Sequence, residues 1–273
     1  WYEVTTMKVS YSELILLGHP VLENMETLQK AGGKNVELMM DGAAWDRCGG
    51  SYGAIAEELK RTGLHFSVHP AAWDINLTAE MGILRDAAYR HHLAALEFCA
   101  RLGASQMVVH PGFAYSPAFD KETAKKRARE TICRLAEEAK KTGVKLAFEN
   151  VGYHGSSIYT QEEYIHALDG VDPIVGYLID VGHAHVNAWD IPGTIDAVSH
   201  RLYGLHLHDN CGNCDAHLPM GEGTIPWDQV LAAIGRIQTP ECEFVLEYAP
   251  MQPLERLRSG EEMLGSIVNK QGT

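Results

Sequence analysis

The sequence predicts an α/β fold, a single (β/α)8 TIM barrel, on three observations. Eight apolar strand-like runs alternate with amphipathic helical runs in strict order. The chain has 273 residues and 45% hydrophobic content, close to the roughly 250 residues usual for one such barrel. Six of the runs end on a metal-binding side chain. His69 closes LHFSVH, His110 closes QMVVH, Glu149 closes KLAFE, Asp180 closes VGYLID, His206 lies in LYGLHLH and Glu247 closes EFVLE. Such side chains are costly to bury without partners. One at a strand end is an accident. Six at the same end describe a ring of ligands at the mouth where parallel barrels keep their active sites.

The element order follows from periodicity. Strands are expected near 8–17, 35–40, 65–69, 105–110, 144–149, 175–180, 202–208 and 243–247. Helices are expected near 20–31, 51–62, 78–102, 120–142, 160–169, 192–199, 226–237 and 253–269. Eight βα units in order close into a barrel rather than an open sheet. The first strand is the weakest pattern, because SYSELILLG also suits a helix. The stretch 78–102 is the clearest helix, with Leu84, Ala88, His91, Ala95 and Cys99 at helical spacing. Thr78 is read as its N-cap and Gly103 as its left-handed C-cap. No Pro/Ser-rich linker divides the chain, so 1–273 is read as one domain. Residues 1–6 are read as a disordered leader ahead of a start at Met7.

Alternation explains how short strands aim polar groups inward. His206 and His208 face away from Leu205 and Leu207. Glu149 shares a face with Ala147, opposite Leu146 and Phe148. Glu247 shares one with Val245, opposite Phe244 and Leu246. The bulky residues are expected to pack under helices, leaving the inner face for ligands.

Composition narrows the function. A net charge of −13 gives no electrostatic footprint for nucleic acid. No apolar stretch approaches the roughly 20 residues of a membrane span, and the N-terminus lacks the order of a signal peptide. Six cysteines are too few for a disulfide scaffold, so the chain reads as cytoplasmic. Cys99 and Cys133 are expected in the core. Cys211 and Cys214 form a lone C-x-x-C, read as loop cysteines.

Each strand-end residue alone has a plain reading: a buried histidine is usually hydrogen-bonded core, and a carboxylate often caps the next helix. Six independent caps would not all be metal-ligand types. Two further clusters reinforce the point. Asp180-Val-Gly-His183 places an imidazole three residues after a carboxylate, and Asp215-Ala-His217 precedes the Gly-rich GEGTIPW.

HFSVHP, VVHPG, FENVG, DVGHAH, LHLHDN, DAHLPMGEGTIPW and LEY together resemble the xylose isomerase-like barrel superfamily over roughly residues 35–250. That superfamily includes sugar epimerases, inosose isomerases and dehydratases, and endonuclease IV. The resemblance implies one divalent ion on Glu149, Asp180, His206 and Glu247, with Glu149 and Glu247 also moving protons. The endonuclease IV pattern implies further metal ligands at His69, His110, His183, Asp215 and His217, for a trinuclear zinc site. The sequence lacks that nuclease's early glycine-rich DNA-binding segment. It also departs from ketohexose epimerases, with no Arg at the usual short spacing after the His206 strand.

The chemistry expected of such a site is proton transfer. Two glutamates, an aspartate and an imidazole make a hard site for Mn²⁺, Zn²⁺, Mg²⁺ or Co²⁺, one ion or more. The expected activity is a metal-dependent isomerase or epimerase of carbohydrate metabolism, acting on a small sugar or polyol through a metal-stabilised enediolate. The alternatives are a zinc phosphodiesterase acting on abasic DNA and a non-catalytic sugar-binding barrel. His183 and His208 are candidate partners for substrate hydroxyls, and His185 a candidate support for a ligand. Trp45, Arg47 and Trp73 lie in βα loops, with Trp45 and Trp73 expected to stack on substrate. A nucleic-acid partner and a membrane are not expected; a homo-oligomer is compatible with the sequence.

Overall fold

The computed structural model describes residues 7–48, 52–237, 239 and 241–271, so the expected leader at 1–6 lies outside them. The strands are β1 (Lys8–Ser12), β2 (Asn35–Met39), β3 (His65–His69), β4 (Gln106–Val109), β5 (Lys145–Glu149), β6 (Val175–Asp180), β7 (Leu202–Leu207) and β8 (Glu243–Leu246). They pair in parallel, in chain order, and β8 returns to β1 with Ser10 opposite Val245 to close the barrel. Between them run α1 (Val21–Lys30), α2 (Ala43–Asp46), α3 (Gly53–Lys60), α4 (Gly82–Leu102), α5 (Lys121–Thr142) and α6 (Gln161–Ile165). The later helices are α7 (Val181–Val186), α8 (Ile191–Val198), α9 (Trp227–Ile234) and α10 (Glu255–Gln271). No described helix is long and apolar enough to cross a membrane.

The alternation expected from sequence sorts the side chains. Leu146, Phe148, Leu205, Leu207, Phe244 and Leu246 join the large core between barrel and helices. Val108, Ala147 and Leu178 form a separate small cluster inside. His110, Glu149 and Asp180 each follow one of these by two residues, so they share its inward face one step nearer the mouth. The apolar cluster is thus a plug under the ligand ring. The interior beside β1, β2, β3 and β8 is polar instead. Ser67 on β3 reaches Glu243 on β8 at 3.1 Å, although those strands are not neighbours.

Several boundaries differ from expectation for local reasons. β1 stops at Ser12, whose hydroxyl accepts the Leu14 N–H at 3.2 Å and starts a 3-10 turn over Glu13–Leu16. α4 starts at Gly82 rather than near Thr78. The Thr78 hydroxyl is engaged by Asn76 Oδ1 at 2.9 Å, so it caps nothing. The buried stripe of α4 is Ala88, His92, Ala95, Leu96, Cys99 and Leu102, while Leu84 is exposed. His92, not His91, faces the core. Gly103 does close the helix, at φ 78° and ψ 32°, a conformation that costs glycine little. Cys99 is buried, but Cys133 is exposed, which corrects its assignment to the core. Cys211 and Cys214 are free and exposed. α7 was not anticipated as a separate element. It begins directly on the strand-end Asp180, whose carboxylate accepts the His183 N–H at 2.5 Å as an N-cap.

Candidate metal centre

The strand ends assemble a nest of imidazoles and carboxylates at one mouth of the barrel. Among the described residues, five triads each keep their ligand atoms within 4.8 Å of one another: His69, His110 and Glu149; Glu149, Asp180 and His206; His183, Asp215 and His217; His208, His217 and Glu247; and Glu37, His206 and Glu247. Glu149 belongs to two of them. Nδ1 of His206 is the point of convergence in the middle. It lies 3.3 Å from Glu247 Oε2, 3.5 Å from Glu149 Oε1 and 3.7 Å from Asp180 Oδ2. Asp180 and His206 are fully buried. Glu149, Glu247, His69, His110, His183, Asp215 and His217 line a cavity of about 390 Å³ above them.

Neighbouring groups orient the rings. His69 Nδ1 faces the Pro70 carbonyl at 2.7 Å, leaving Nε2 toward His110 Nε2 at 3.1 Å. His110 Nε2 is also 3.0 Å from Glu149 Oε2. His217 Nδ1 faces the Glu247 carbonyl at 3.0 Å, and its Nε2 faces Asp215 Oδ2 at 3.1 Å. Asp215 Oδ2 also meets His183 Nε2 at 3.1 Å. His217 holds a left-handed backbone, φ 44°, which is costly for a non-glycine residue and clusters at functional sites.

Electrostatics tie the cluster together. Burial opposes the charge on His206, but the carboxylates of Glu247, Glu37 and Glu149 outweigh it and raise its pKa well above the usual range. Burial would raise Glu149, yet His206 and His110 hold it well below the carboxylate range. Against the same burial, His206 and His217 lower Glu247 to about 2. Asp180 is likewise lowered, against burial, by His183 and His208. His69 rises to about 9 because Glu149 overcomes its burial, and His217 rises to about 9 because Asp215 does the same. Burial dominates at His110 and lowers it. The raised rings of His69, His206 and His217 favour a positive charge where a cation would bring one, and metal binding would displace their protons.

The fit to a cation rests on partnerless buried atoms. Nδ1 of His183, both ring nitrogens of His206 and Oδ1 of Asp215 are buried with no hydrogen-bond partner, as are Nδ1 of His208 and Oε1 of Glu37 beside them. Such atoms are rare in proteins and need a cause. Ions held among the triads would satisfy Nδ1 of His183, Nδ1 of His206 and Oδ1 of Asp215.

Some expected roles change. His208 is fully buried and does not reach the cavity. Its Nε2 lies against both oxygens of Asp180, at 3.1 and 3.0 Å, and it also forms a candidate ligand triad with His217 and Glu247. His185 turns to Thr224 Oγ1 at 3.0 Å and supports the loop there. Trp45 is a correction: it is 3% exposed and packs edge-on against Tyr52 and Phe98, so it cannot stack on a substrate. Arg47 closes the same short helix. Trp73 is 59% exposed and lines the cavity.

Other participants were not anticipated. Phe113, Tyr115, Tyr153 and His154 complete the cavity wall with Trp73. The loop motifs PGFAY and VGYHG carry them, and aromatic residues just past strand ends were the available signal. Asn150 clamps the ends of β5 and β6, accepting the Asp180 N–H at 2.8 Å and donating to the Asp180 carbonyl at 2.9 Å. Asp209 pins the Gly-rich loop by accepting from the Trp227 indole at 2.7 Å and from the Gly221 N–H at 3.0 Å. Gly182 in DVGH is required for space, since a Cβ there would lie 1.9 Å from His208 Cε1. Glu37 on β2 reaches Nε2 of His206 from across the barrel, at 3.0 Å.

A closed parallel barrel with candidate metal ligands gathered at its C-terminal mouth defines the class of protein. Residues 25–266 match the family described as the Xylose isomerase-like TIM barrel, and the chain belongs to it. It is 25% identical over 233 residues to a protein of Chloroflexus aurantiacus named Probable endonuclease 4, covering 79% of this chain and 81% of that one. Its fold is similar to that of a D-tagatose 3-epimerase-like protein, with TM-score 0.83 and 22% identity over 98% of this chain and 100% of the other. It is also similar to the IOLI protein, whose structure carries a zinc atom, with TM-score 0.80 and 20% identity over 97% and 99% of the two chains.

Proposed function

We propose that this chain is a divalent-metal-dependent isomerase or epimerase of a small sugar or polyol, with Glu149 and Glu247 as the proton-transfer pair. The observation that carries the reading is the convergence of Glu149, Asp180 and Glu247 on one buried imidazole nitrogen, at 3.5, 3.7 and 3.3 Å, beneath an open cavity. Three carboxylates and an imidazole from four strands suit Mn²⁺, Mg²⁺, Co²⁺ or Zn²⁺. Such an ion, when bound, supplies Lewis acidity toward the carbonyl and hydroxyl oxygens of a sugar.

The chain's own residues carry the proton chemistry. Glu149 and Glu247 come from β5 and from just past β8, and both reach the cavity. One takes a proton from the carbon beside the carbonyl. The other returns a proton to the opposite face of that carbon, giving the epimer, or to the former carbonyl carbon while the hydroxyl proton passes to the former carbonyl oxygen, giving the isomer. The glutamate that takes the proton must be ionised to act, which the imidazoles beside it favour; the other must carry the proton that it returns. Trp73, Phe113, Tyr115 and Tyr153 offer an apolar wall to the C–H face of a sugar. The described lining includes no Lys or Arg, which favours an uncharged substrate.

A metal-dependent phosphodiesterase is the second reading. It is favoured by two triads that share Glu149, His69 with His110 and Asp180 with His206, beside a third at His183, Asp215 and His217, which together could hold up to three ions; clustered ions suit attack on a phosphoryl group. Turnover in deuterium oxide separates the readings. A ketose substrate should gain deuterium at the carbon next to the carbonyl. Cleavage of an abasic-site duplex, with three metals per chain and no exchange into any ketose, would move the assignment to the phosphodiesterase. Sugar binding with neither exchange nor cleavage would leave a non-catalytic barrel.

A further inference from the structure

We infer that Glu37 is a positioning residue of the metal centre: its carboxylate stands against Nε2 of His206, favours the proton on that nitrogen and thereby leaves Nδ1 for the three acidic ligands. The inference rests on the metal dependence proposed above. Glu37 sits on β2, fully buried, and does not line the cavity. It cannot meet a substrate held there. β2 and β7 are not neighbours in the barrel, so the 3.0 Å contact from Glu37 Oε1 to His206 Nε2 crosses the interior.

The two edges of the His206 ring have different surroundings. Nδ1 faces Glu149, Asp180 and Glu247 within 3.7 Å. Nε2 has Glu37 against it. A neutral imidazole carries one proton on one of two nitrogens, and a ligand nitrogen must be the bare one. The Glu37 carboxylate lies 3.0 Å from Nε2, in contact though not yet in hydrogen-bond alignment, and its charge favours the proton on that nitrogen over Nδ1, the service outer partners give ligand histidines.

Glu37 is itself anchored. Its Oε2 accepts from the Ser67 hydroxyl at 3.2 Å, and Ser67 lies 3.1 Å from Glu243. Glu243 is held by Lys8 at 2.8 Å and Ser105 at 3.1 Å. A carboxylate serving only to fill the barrel would be a poor choice, since Val108, Ala147 and Leu178 fill the neighbouring interior without a polar cost. What distinguishes Glu37 within this network is its contact with a candidate ligand.

The test is titration of metal-stripped protein with Co²⁺ alone, following affinity and the visible spectrum of the site that Asp180→Asn abolishes. Glu37→Leu should weaken that site by roughly 10–100-fold, the usual cost of losing an outer partner, and change the Co²⁺ spectrum. Glu37→Gln keeps an oxygen acceptor without the charge and should fall between Glu37→Leu and wild type. Glu243→Gln shares Ser67 and the buried setting but does not touch His206; its affinity should stay within about twofold of wild type. Wild-type affinity and spectrum in Glu37→Leu would overturn the inference, as would equal losses in Glu37→Leu and Glu243→Gln. If Glu37→Leu does not fold, Glu37→Gln decides, and wild-type affinity with an unchanged spectrum overturns the inference. Wild-type protein that binds no Co²⁺ overturns the metal dependence along with it, a result distinct from the others.

Discussion

Asp180 carries two jobs on one carboxylate, and Asp180→Asn separates them. As an N-cap of α7, it accepts the His183 N–H at 2.5 Å. As a candidate ligand, it lies 3.7 Å from His206 Nδ1. Asn caps helices about as well as Asp, whereas Ala costs about 1 kcal/mol. Asp180→Ala also breaks the contacts with His208 at 3.0 and 3.1 Å; a hydrogen bond to a charged group contributes roughly 1.5–3 kcal/mol. Metal-free Asp180→Ala should therefore lose roughly 3 kcal/mol in all, and Asp180→Asn roughly half of that. If capping were the whole role, Asp180→Asn would behave as wild type toward metal. If the carboxylate is a ligand, both variants lose the site equally. The assay is metal content per chain, with thermal melts in metal and in chelator. Ion held at a thousandfold excess over its Kd stabilises by about 4 kcal/mol. For a chain of this size that is roughly 8–16 °C in Tm. Wild type should show this shift, and both variants should lose the part due to this site. Asp180→Asn with full metal content and the whole shift would refute the ligand assignment.

Three other outcomes are expected. Glu149→Gln and Glu247→Gln should each slow solvent exchange into substrate by at least about 10²-fold, the typical cost of a lost general base, with metal content measured in the same samples. Glu13 is pushed up to about 7 from 4.5, chiefly by burial and against its bonds to Asn24 and the Met39 N–H. A raised value in the folded state means that its contribution is whole below the unfolded pKa and is lost as pH rises through the folded one. In chelator, wild type should lose about 3 kcal/mol relative to Glu13→Gln between about pH 4.5 and pH 8; parallel denaturation curves would remove this account. Gly182→Ala puts a methyl 1.9 Å from His208 Cε1. It should destabilise by roughly 1–3 kcal/mol and weaken metal binding by displacing the group that holds Asp180; unchanged affinity would show that His208 is not needed there.

Much of the fold was legible because its signals are local. Period-two runs such as KLAFE and LYGLHLH state which side chains share a face, and β5 and β7 fall where those runs lie. Strand-end position alone marked His69, His110, Glu149, Asp180, His206 and Glu247. Failures arose where a second surface mattered. Thr78 looked like a cap until Asn76 and the Phe113 carbonyl took its hydroxyl. Trp45 looked like a loop aromatic until Tyr52 and Phe98 closed over it.

By itself, the sequence determined the eight alternating units, the end of the strands that carries the ligand types, and the glycine that closes α4. Only the tertiary structure decided which of these groups meet. His206 and His208 share one face of the chain, yet the first faces Glu149 and Glu247 while the second backs Asp180. Glu37 is one carboxylate in an apolar run until β2 and β7 face each other across the interior and bring it to 3.0 Å from His206. The physical reason is that periodicity fixes a side chain's direction from its own strand. Its neighbours across the barrel depend on register and closure, which are set by the summed packing of all eight strands.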